Sequence, residues 1–162
     1  MTTERTAPAA PATPASLEPL RRETAARELP ALAAADADTI GEPWTAAHWL
    51  LDLPEKWTLS RLARAADGGV AGFLVASVRD GRVHIHRVAV APTHRGRGLG
   101  TRLVTDAARS ALALGASELS LKVHRSNAPA LALYRRLGFH ERAAPGETIT
   151  MIARAELVPG AR

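Results

Sequence analysis

The spacing of apolar and polar positions predicts a chain that alternates strands and helices from Leu17 onward. Alternation with a period of two indicates strands, and apolar recurrence every three to four residues indicates helices. The predicted strands are 17–24, 57–65, 70–78, 83–91, 117–123 and 147–157, and the predicted helices are 25–40, 44–53, 99–114 and 127–139. The order βααβββαβαβ predicts an α+β fold, with mixed α/β layers and a mostly antiparallel sheet.

Turn and cap residues mark the ends of several predicted elements. Asp80 and Gly81 favour a type I′ hairpin between the third and fourth strands. Gly115 ends the helix that begins near residue 99. Asn127 is the expected N-cap of the last helix, and Gly138 is expected to follow its end in a left-handed conformation.

Length and composition predict one domain with short extensions. Residues 1–16 are rich in Ala, Pro and Thr and have little to bury, so they are expected to form a disordered leader. The domain is expected over residues 17–158, with a tail at 159–162. The N-terminus lacks a signal-peptide pattern, and no apolar run approaches the roughly 20 residues of a membrane span, so no membrane contact is expected.

The residue content narrows the chemistry. The chain has no cysteine, which excludes disulfides and thiolate metal sites and agrees with a reducing cytoplasm. Its net charge of +5 suits an anionic cofactor or nucleic acid. Nucleic acid is unlikely as a partner, because the few aromatic residues do not interleave with basic clusters.

A glycine- and arginine-rich loop, RGRGLG at 95–100, joins a predicted strand to a predicted helix. Glycines allow close approach to a ligand, and backbone N–H groups at a helix N-terminus bind anions. The loop lacks the Gly-Lys-Ser/Thr of a Walker A motif, and Leu103 stands where a dinucleotide fingerprint has its third glycine. An ordinary glycine-rich turn with solvated arginines is the alternative.

The loop belongs to the first of two sequence motifs, and the two occurring in this order indicate a family more specifically than the loop alone. The first reads Arg95-x-x-Gly98-x-Gly100, and the second comprises Asn127, Ala130, Tyr134, Gly138 and Phe139. Together they resemble the Gcn5-related N-acetyltransferase (GNAT) family. The resemblance follows element order over roughly residues 17–157 and is specific over about 84–139.

The resemblance implies a central sheet of six to seven strands, flanked by about four helices and splayed after the fourth strand. It implies acetyl-CoA as the acyl donor and no metal. Loop amides and arginines would hold the pyrophosphate, and the preceding strand would pair with the pantetheine arm. The cofactor-binding residues so implied are Val88, Ala89, Val90, Arg95, Gly96, Arg97, Gly98, Leu99, Gly100, Thr101, Asn127 and Ala130.

Tyr134 is the candidate general acid. It is the chain's only tyrosine, and the family uses the tyrosine at this motif position to protonate the departing thiolate. A phenol with a pKa near 10 is a plausible donor to a thiolate whose thiol has a pKa near 8.5. The alternative role is core packing before the glycine that ends the helix.

His84 and His86 are the candidate general bases. Their strand carries no carboxylate, and the position of the family's usual glutamate falls on His84. The His-x-His pattern is similar to the arylalkylamine N-acetyltransferase branch, in which paired histidines take the proton of the amine. A period of two places both histidines on one face with Val88 and Val90.

Other interpretations of the histidine pair remain open. The two imidazoles could be ordinary hydrogen-bonded polar side chains, or a metal pair that lacks an obvious third ligand. The base could also be a carboxylate elsewhere, such as Asp52 or Glu55, or water.

The resemblance implies that the first helices and nearby loops build the acceptor site, here residues 41–57, which hold all three tryptophans beside several acids. Trp44, Trp49 and Asp52 would bind an organic ammonium, unless Trp49 faces the core and the acids are solvated. The predicted function is direct acetyl transfer to a primary amine of a small molecule in a ternary complex. The alternatives are a peptide or protein N-terminal acetyltransferase and a non-catalytic acyl-CoA sensor. A homodimer is possible.

Overall fold

The computed structural model describes residues 13–142 and 145–162, which form one open seven-stranded sheet in the order β1-β2-β3-β4-β5-β7-β6. The strands are β1 Ser16–Pro19, β2 Arg61–Arg64, β3 Val70–Arg79, β4 Arg82–Val90, β5 Glu118–His124, β6 His140–Arg142 and β7 Thr148–Arg154. The α-helices are α1 Arg22–Arg27, α2 Leu29–Ala35, α3 Ala46–Leu50, α4 Lys56–Leu59, α5 Leu99–Ala113 and α6 Ala128–Arg136, with short 3-10 helices at Pro92–His94 and Ala155–Leu157. No helix in the described ranges has the length and apolar character needed to cross a membrane.

The sheet splays between β4 and β5. These two strands run parallel, whereas the other described neighbours pair antiparallel. Their register covers only Val83–Ile85 against Leu119–Leu121, although β4 continues to Val90. The predicted opening after the fourth strand is therefore confirmed, and beyond Ile85 it leaves that edge of β4 without a partner among the described strands.

Helices cover the two faces of the sheet unequally. On one face, α5 and α6 bury a large core that includes Leu103, Leu121 and Met151. On the other face, α1 to α4 bury a smaller core around Trp49 and Phe73. The sheet residues of this smaller core come from β2, β3 and β4, so none of the described helices covers this face of β5, β7 and β6.

Several predicted elements need correction. The described residues form six α-helices instead of the expected four, because residues 25–40 divide between α1 and α2 and residues 57–65 begin with α4. The strand predicted to reach Thr24 ends at Pro19, and α1 begins at Arg22. Strand β6 was not predicted, because its three residues are all polar and exposed and so show no apolar alternation.

The ends of the chain also differ from the prediction. Of the expected leader, residues 1–12 lie outside the described residues, whereas Ser16 already begins β1. The expected tail at 159–162 packs on α5, where Thr105 donates to the carbonyl of Pro159 and Arg109 donates to that of Gly160. Ala161 is accordingly buried.

The predicted turn and caps are confirmed. Asp80 and Gly81 have φ values of 52° and 74°, which fit the type I′ hairpin. The side chain of Asn127 accepts a hydrogen bond from the backbone N–H of Ala130 at 3.3 Å and so caps α6. Gly138 follows α6 with a φ of 91°.

Candidate functional site

A cleft of about 580 Å³ lies where β4 and β5 separate. It is lined by β4, the glycine-rich loop, the start of α5, the end of β5 and α6. All residues that the sequence assigned to the cofactor line it except Arg97, which is exposed. The splay therefore brings together two motifs that are about 30 residues apart in the chain.

The glycine-rich loop presents backbone N–H groups to the cleft. Gly96 and Gly98 have φ values of 74° and 76°, a left-handed conformation that favours glycine. Gly98 is the N-cap of α5, so no side chain caps the first amides of this helix. Because the positive end of the helix dipole lies there as well, the loop can bind an anion.

Gly100 has a different role in the loop. A Cβ atom built at this residue would lie 3.3 Å from Cδ2 of Leu133. The first turn of α5 therefore packs tightly against α6, and this contact holds the loop beside the second motif.

Arg95 joins the loop to the segment that follows α2. Its Nε donates to the carbonyl of Val90 at 3.0 Å, and a terminal nitrogen lies 3.1 Å from Oδ2 of Asp38. Asp38, Thr39 and Ile40 line the cleft, and the sequence analysis did not identify them. They follow α2, in a stretch with no distinctive motif.

Tyr134 lies on α6 and lines the cleft, although its side chain is largely buried. Its ring packs against Phe139 with centroids 5.6 Å apart, so the residue also has the packing role considered as the alternative. Burial raises the pKa of Tyr134 to about 12. The phenol therefore stays protonated throughout the neutral range.

A β-bulge in β4 changes which way its side chains point. Val75 pairs with Arg87 but Ala76 pairs with Ile85, so His86 is an extra residue in the ladder. Val88 packs with the core under α5 and α6, whereas Ala89 packs with the core under α1 to α4. His84 lies on the face opposite to Ile85, so the prediction that the histidines share a face with Val88 and Val90 is wrong.

The two histidines contact each other and two serines. Their rings meet edge to face with centroids 4.8 Å apart. His84 Nδ1 shares a hydrogen bond of 2.9 Å with Ser120 Oγ on β5, and His86 Nε2 shares one of 2.6 Å with Ser77 Oγ on β3. His86 lines the cleft, whereas His84 does not.

Both imidazoles are held in the neutral form at neutral pH. Burial, followed by the charges of His84, Lys56 and Arg79, lowers the pKa of His86 to about 4. Burial, followed by Arg79 and Lys122, also lowers the pKa of His84. The end of the cleft beside the histidines therefore has a positive electrostatic environment.

Lys56 contributes to that environment from the protein interior. It is 1% exposed, and its Nζ donates to the carbonyls of Trp49 and Leu51 at 2.7 Å each. The ammonium thereby satisfies carbonyls at the end of α3. Burial lowers the pKa of Lys56. The sequence does not predict that Lys56 binds these carbonyls, because a single lysine in a short segment forms no recognisable motif.

Arg87 fastens the segment between α2 and α3 to β4. Its Nε donates to both carboxylate oxygens of Asp36, at 2.9 and 3.0 Å, and both side chains are largely buried. Its terminal nitrogens donate to the carbonyl of Glu42, and its guanidinium lies 5.1 Å from the ring centroid of Trp44. The wall of the cleft at Asp38 is therefore anchored beside His86.

The residues predicted to bind the acceptor do not line the cleft. Trp49 is 2% exposed and packs edge to face on Phe73, so it belongs to the core. Trp44 is half-buried against Trp49 and Arg87. Asp52 is exposed and accepts a hydrogen bond from Trp57 Nε1 at 2.8 Å, away from the cleft. No group of three or more potential metal ligands occurs in the part of the chain that the structure describes.

Comparison with known proteins agrees with this geometry. The profile of the acetyltransferase (GNAT) family matches residues 23–139. A mycothiol acetyltransferase of Clavibacter michiganensis subsp. michiganensis is 39% identical over 106 residues, which are 65% of this chain and 31% of that protein. A streptothricin acetyltransferase of Streptomyces lavendulae is 45% identical over 80 residues, which are 48% of this chain and 42% of that protein. The chain thus spans less than half the length of these relatives.

Among solved structures, the ribosomal-protein-S18-alanine N-acetyltransferase from Escherichia coli superposes with a TM-score of 0.73. The match covers 87% of this chain and 94% of that one, at 24% sequence identity. At this identity the likeness establishes a shared fold.

Proposed function

Because the chain belongs to the acetyltransferase (GNAT) family, we propose that it transfers the acetyl group of acetyl-CoA directly to a primary amine. The observation that carries the proposal is the cleft itself, which joins an uncapped helix N-terminus to the unpaired edge of β4. The chain has no cysteine to carry an acyl group, which agrees with direct transfer in a ternary complex.

The cleft has the features that acetyl-CoA requires. The amides that follow Gly98 would hold the pyrophosphate, and the edge of β4 from Val88 to Val90 would pair with the pantetheine arm. Bound in this way, acetyl-CoA supplies the thioester that is cleaved. Its sulfur would lie toward α6, where Tyr134 lines the cleft.

Tyr134 would donate a hydrogen bond to the departing sulfur. With a pKa of about 12 it is fully protonated at neutral pH, so the donor is always available. A thiol, with a pKa near 8.5, is the stronger acid, so the phenol serves mainly to stabilise the developing negative charge.

His86 would accept the proton of the amine. It lines the cleft, and its low pKa keeps the imidazole neutral and able to accept a proton at neutral pH. His84 touches His86 but not the cleft, so it would act through His86. Asp52 and Glu55 are exposed and do not line the cleft, which makes them poor candidates for the base.

One reason for expecting the amine of a small molecule does not hold in the structure. Trp49 lies in the core and Asp52 lies outside the cleft, so no tryptophan–carboxylate pocket faces the amine. The amine of a small molecule and the N-terminus of a polypeptide are then both candidate acceptors. A cytoplasmic location and a homodimer remain predictions from the sequence.

The proposal is tested by measuring acetyl-CoA binding together with thiol release on a panel of amines and peptides. Gly98→Val is expected to weaken acetyl-CoA binding at least tenfold, because a left-handed φ strains any β-branched residue. Gly68→Val is the matched control, since Gly68 has a φ of 87° in the turn between β2 and β3, away from the cleft.

Both glycine variants should lose similar stability, and only Gly98→Val should lose affinity. Equal affinity in the two variants would refute the role of the loop. Binding of acetyl-CoA without thiol release for any acceptor would favour the sensor over the enzyme.

A further inference from the structure

The helix-free face of the sheet meets the cleft at the histidines. Ser77, His84, Ser120, Ile152 and His140 are successive register partners across β3, β4, β5, β7 and β6, so they form one row. Ser77 and Ile152 are buried in this row, His84 and Ser120 are half-buried, and His140 is exposed. The next row is Lys122, Thr150 and Arg142, and Arg79 lies two residues beyond Ser77. We call these residues the open face.

The open face has an excess of unpaired positive charge. Arg79, Lys122 and Arg142 are exposed, and none of them has an ion pair within the described ranges. The carboxylate on the neighbouring β5 position, Glu118, is already paired with Arg82 at 2.6 Å. Anionic groups are therefore the natural complement of this surface.

This surface is continuous with the catalytic end of the cleft. Lys122 and His86 both line the cleft, and His84 lies in the central row of the open face. The glycine-rich loop, by contrast, joins α5, which packs on the opposite face of the sheet. A molecule on the open face would thus approach the thioester from the side away from the phosphates of acetyl-CoA.

The separation of the three cations exceeds the size of a simple amine. Neighbouring strands lie about 4.8 Å apart, so Lys122 on β5 and Arg142 on β6 are about 10 Å apart across β7. Arg79 on β3 lies four strand spacings from Arg142, about 19 Å, and on the other side of the central row, which adds about 13 Å along the strands, so the two are about 23 Å apart. An extended polypeptide of roughly seven residues, rising about 3.3 Å per residue, spans this distance.

We propose that the acceptor is the N-terminus of an acidic polypeptide, whose carboxylates a few residues beyond the amine pair with Arg79, Lys122 and Arg142. This inference rests on the proposed function and names its acceptor. The weak basicity of His86 agrees with it. An α-amino group, with a pKa near 8, releases its proton more readily than a lysine side chain with a pKa near 10.4.

Three peptides of equal length test the proposal, each with the same first two residues and then glutamates, serines or lysines. Binding is measured by fluorescence anisotropy in the presence of CoA, and kcat/KM is measured by thiol release. The glutamate peptide should bind at least tenfold more tightly than the serine peptide, and the lysine peptide should bind most weakly. The glutamate preference should fall as salt is raised.

Charge reversal of the open face provides the second arm. Arg79→Glu/Arg142→Glu changes two residues that lie outside the cleft and should reverse the preference toward the lysine peptide, with acetyl-CoA affinity unchanged. Arg102→Glu/Arg109→Glu, on α5 across the sheet, makes the same change in net charge and should leave the preference intact. Circular dichroism verifies folding, and Arg142→Gln alone provides a milder test.

The outcomes separate this inference from the proposed function. Equal use of the three peptides, an unchanged preference in Arg79→Glu/Arg142→Glu, or tighter binding of a single-stranded oligonucleotide than of the glutamate peptide would overturn the acidic acceptor. Equal kcat/KM for a small dicarboxylic amine would overturn it too. Preferential binding of the glutamate peptide without thiol release would leave the surface established and refute the acetyl transfer.

Discussion

His86 reaches the cleft because β4 contains one extra residue at the bulge, whereas His84 lies in the regular ladder. The two histidines should therefore differ in their effect on catalysis. His86→Ala should lower kcat/KM by about 10²-fold or more, the usual contribution of a general base. His84→Ala should lower kcat/KM by a smaller factor, since it removes only a neighbour of the proposed base.

The pH profile distinguishes this role from a structural one. With the pKa of His86 at about 4, the rate from pH 5 to 8 should follow the ionisation of the acceptor amine, with no inflection near 6.5. Two peptides whose amines differ in pKa should shift the profile accordingly. An inflection that stays near 6.5 with both peptides would contradict the assignment.

Tyr134 can be tested with its aromatic packing preserved. Tyr134→Phe retains the ring that contacts Phe139 and removes the hydroxyl, so acetyl-CoA affinity and stability should change little. The value of kcat should fall by about 10²-fold, because the departing sulfur loses its hydrogen-bond donor. Single-turnover thiol release measures this step, and an unchanged rate would limit Tyr134 to packing.

At the scale of elements, α3 depends on contacts outside itself. A helix of five residues is too short to be stable alone. Thr45 and His48 form a capping box at its start, and the ammonium of Lys56 binds carbonyls at its end. The lysine thus holds in place the helix that carries Trp49 into the core.

Replacing Lys56 should destabilise the fold. Lys56→Met keeps the apolar stem but leaves the carbonyls of Trp49 and Leu51 without their donor, at an expected cost of about 2 kcal/mol. Lys122→Met, at an exposed lysine, should change stability by less than about 0.5 kcal/mol. Urea unfolding measures both, and similar values for the two would refute the capping role.

Local sequence signals account for the elements that they specify directly. The apolar run of β3, the Asp80-Gly81 turn and the Asn127 cap were predictable, because each depends on residues adjacent in the chain. The bulge at His86 was not predictable, since one extra residue does not change the apolar character by which the strand is recognised. The predicted shared face failed for this reason.

At the scale of the whole molecule, the sequence motifs predicted one part of the cleft lining and left the rest of it unidentified. The glycine-rich loop and the second motif are each a continuous stretch of sequence. Both contain glycines that adopt a positive φ. The rest of the lining is assembled from single residues on separate elements, such as Asp38 after α2, Arg87 on β4 and Lys122 on β5. Only the fold brings these three residues to one cleft, and their positions in the chain follow no periodic pattern.

The histidine pair also links the stability of the whole fold to pH. An unfolded histidine binds a proton below about pH 6.5, whereas His86 in the folded protein does so only near pH 4. The unfolded state therefore binds more protons between these values, and stability must fall as the pH is lowered from 7 toward 4. His84 acts in the same direction, because its pKa is lowered as well.

Removing the imidazole should flatten this dependence. Urea unfolding at pH 7 and pH 5 should show the wild type losing about 1 kcal/mol more than His86→Gln, a value reduced to allow for partial exposure of the ring. The lower limit of pH 5 keeps most carboxylates ionised, including Glu28, whose pKa is lowered by its hydrogen bonds to Arg64. An equal loss in both proteins would mean that His86 titrates normally in the fold, and its assignment as a neutral base held by burial would then fail.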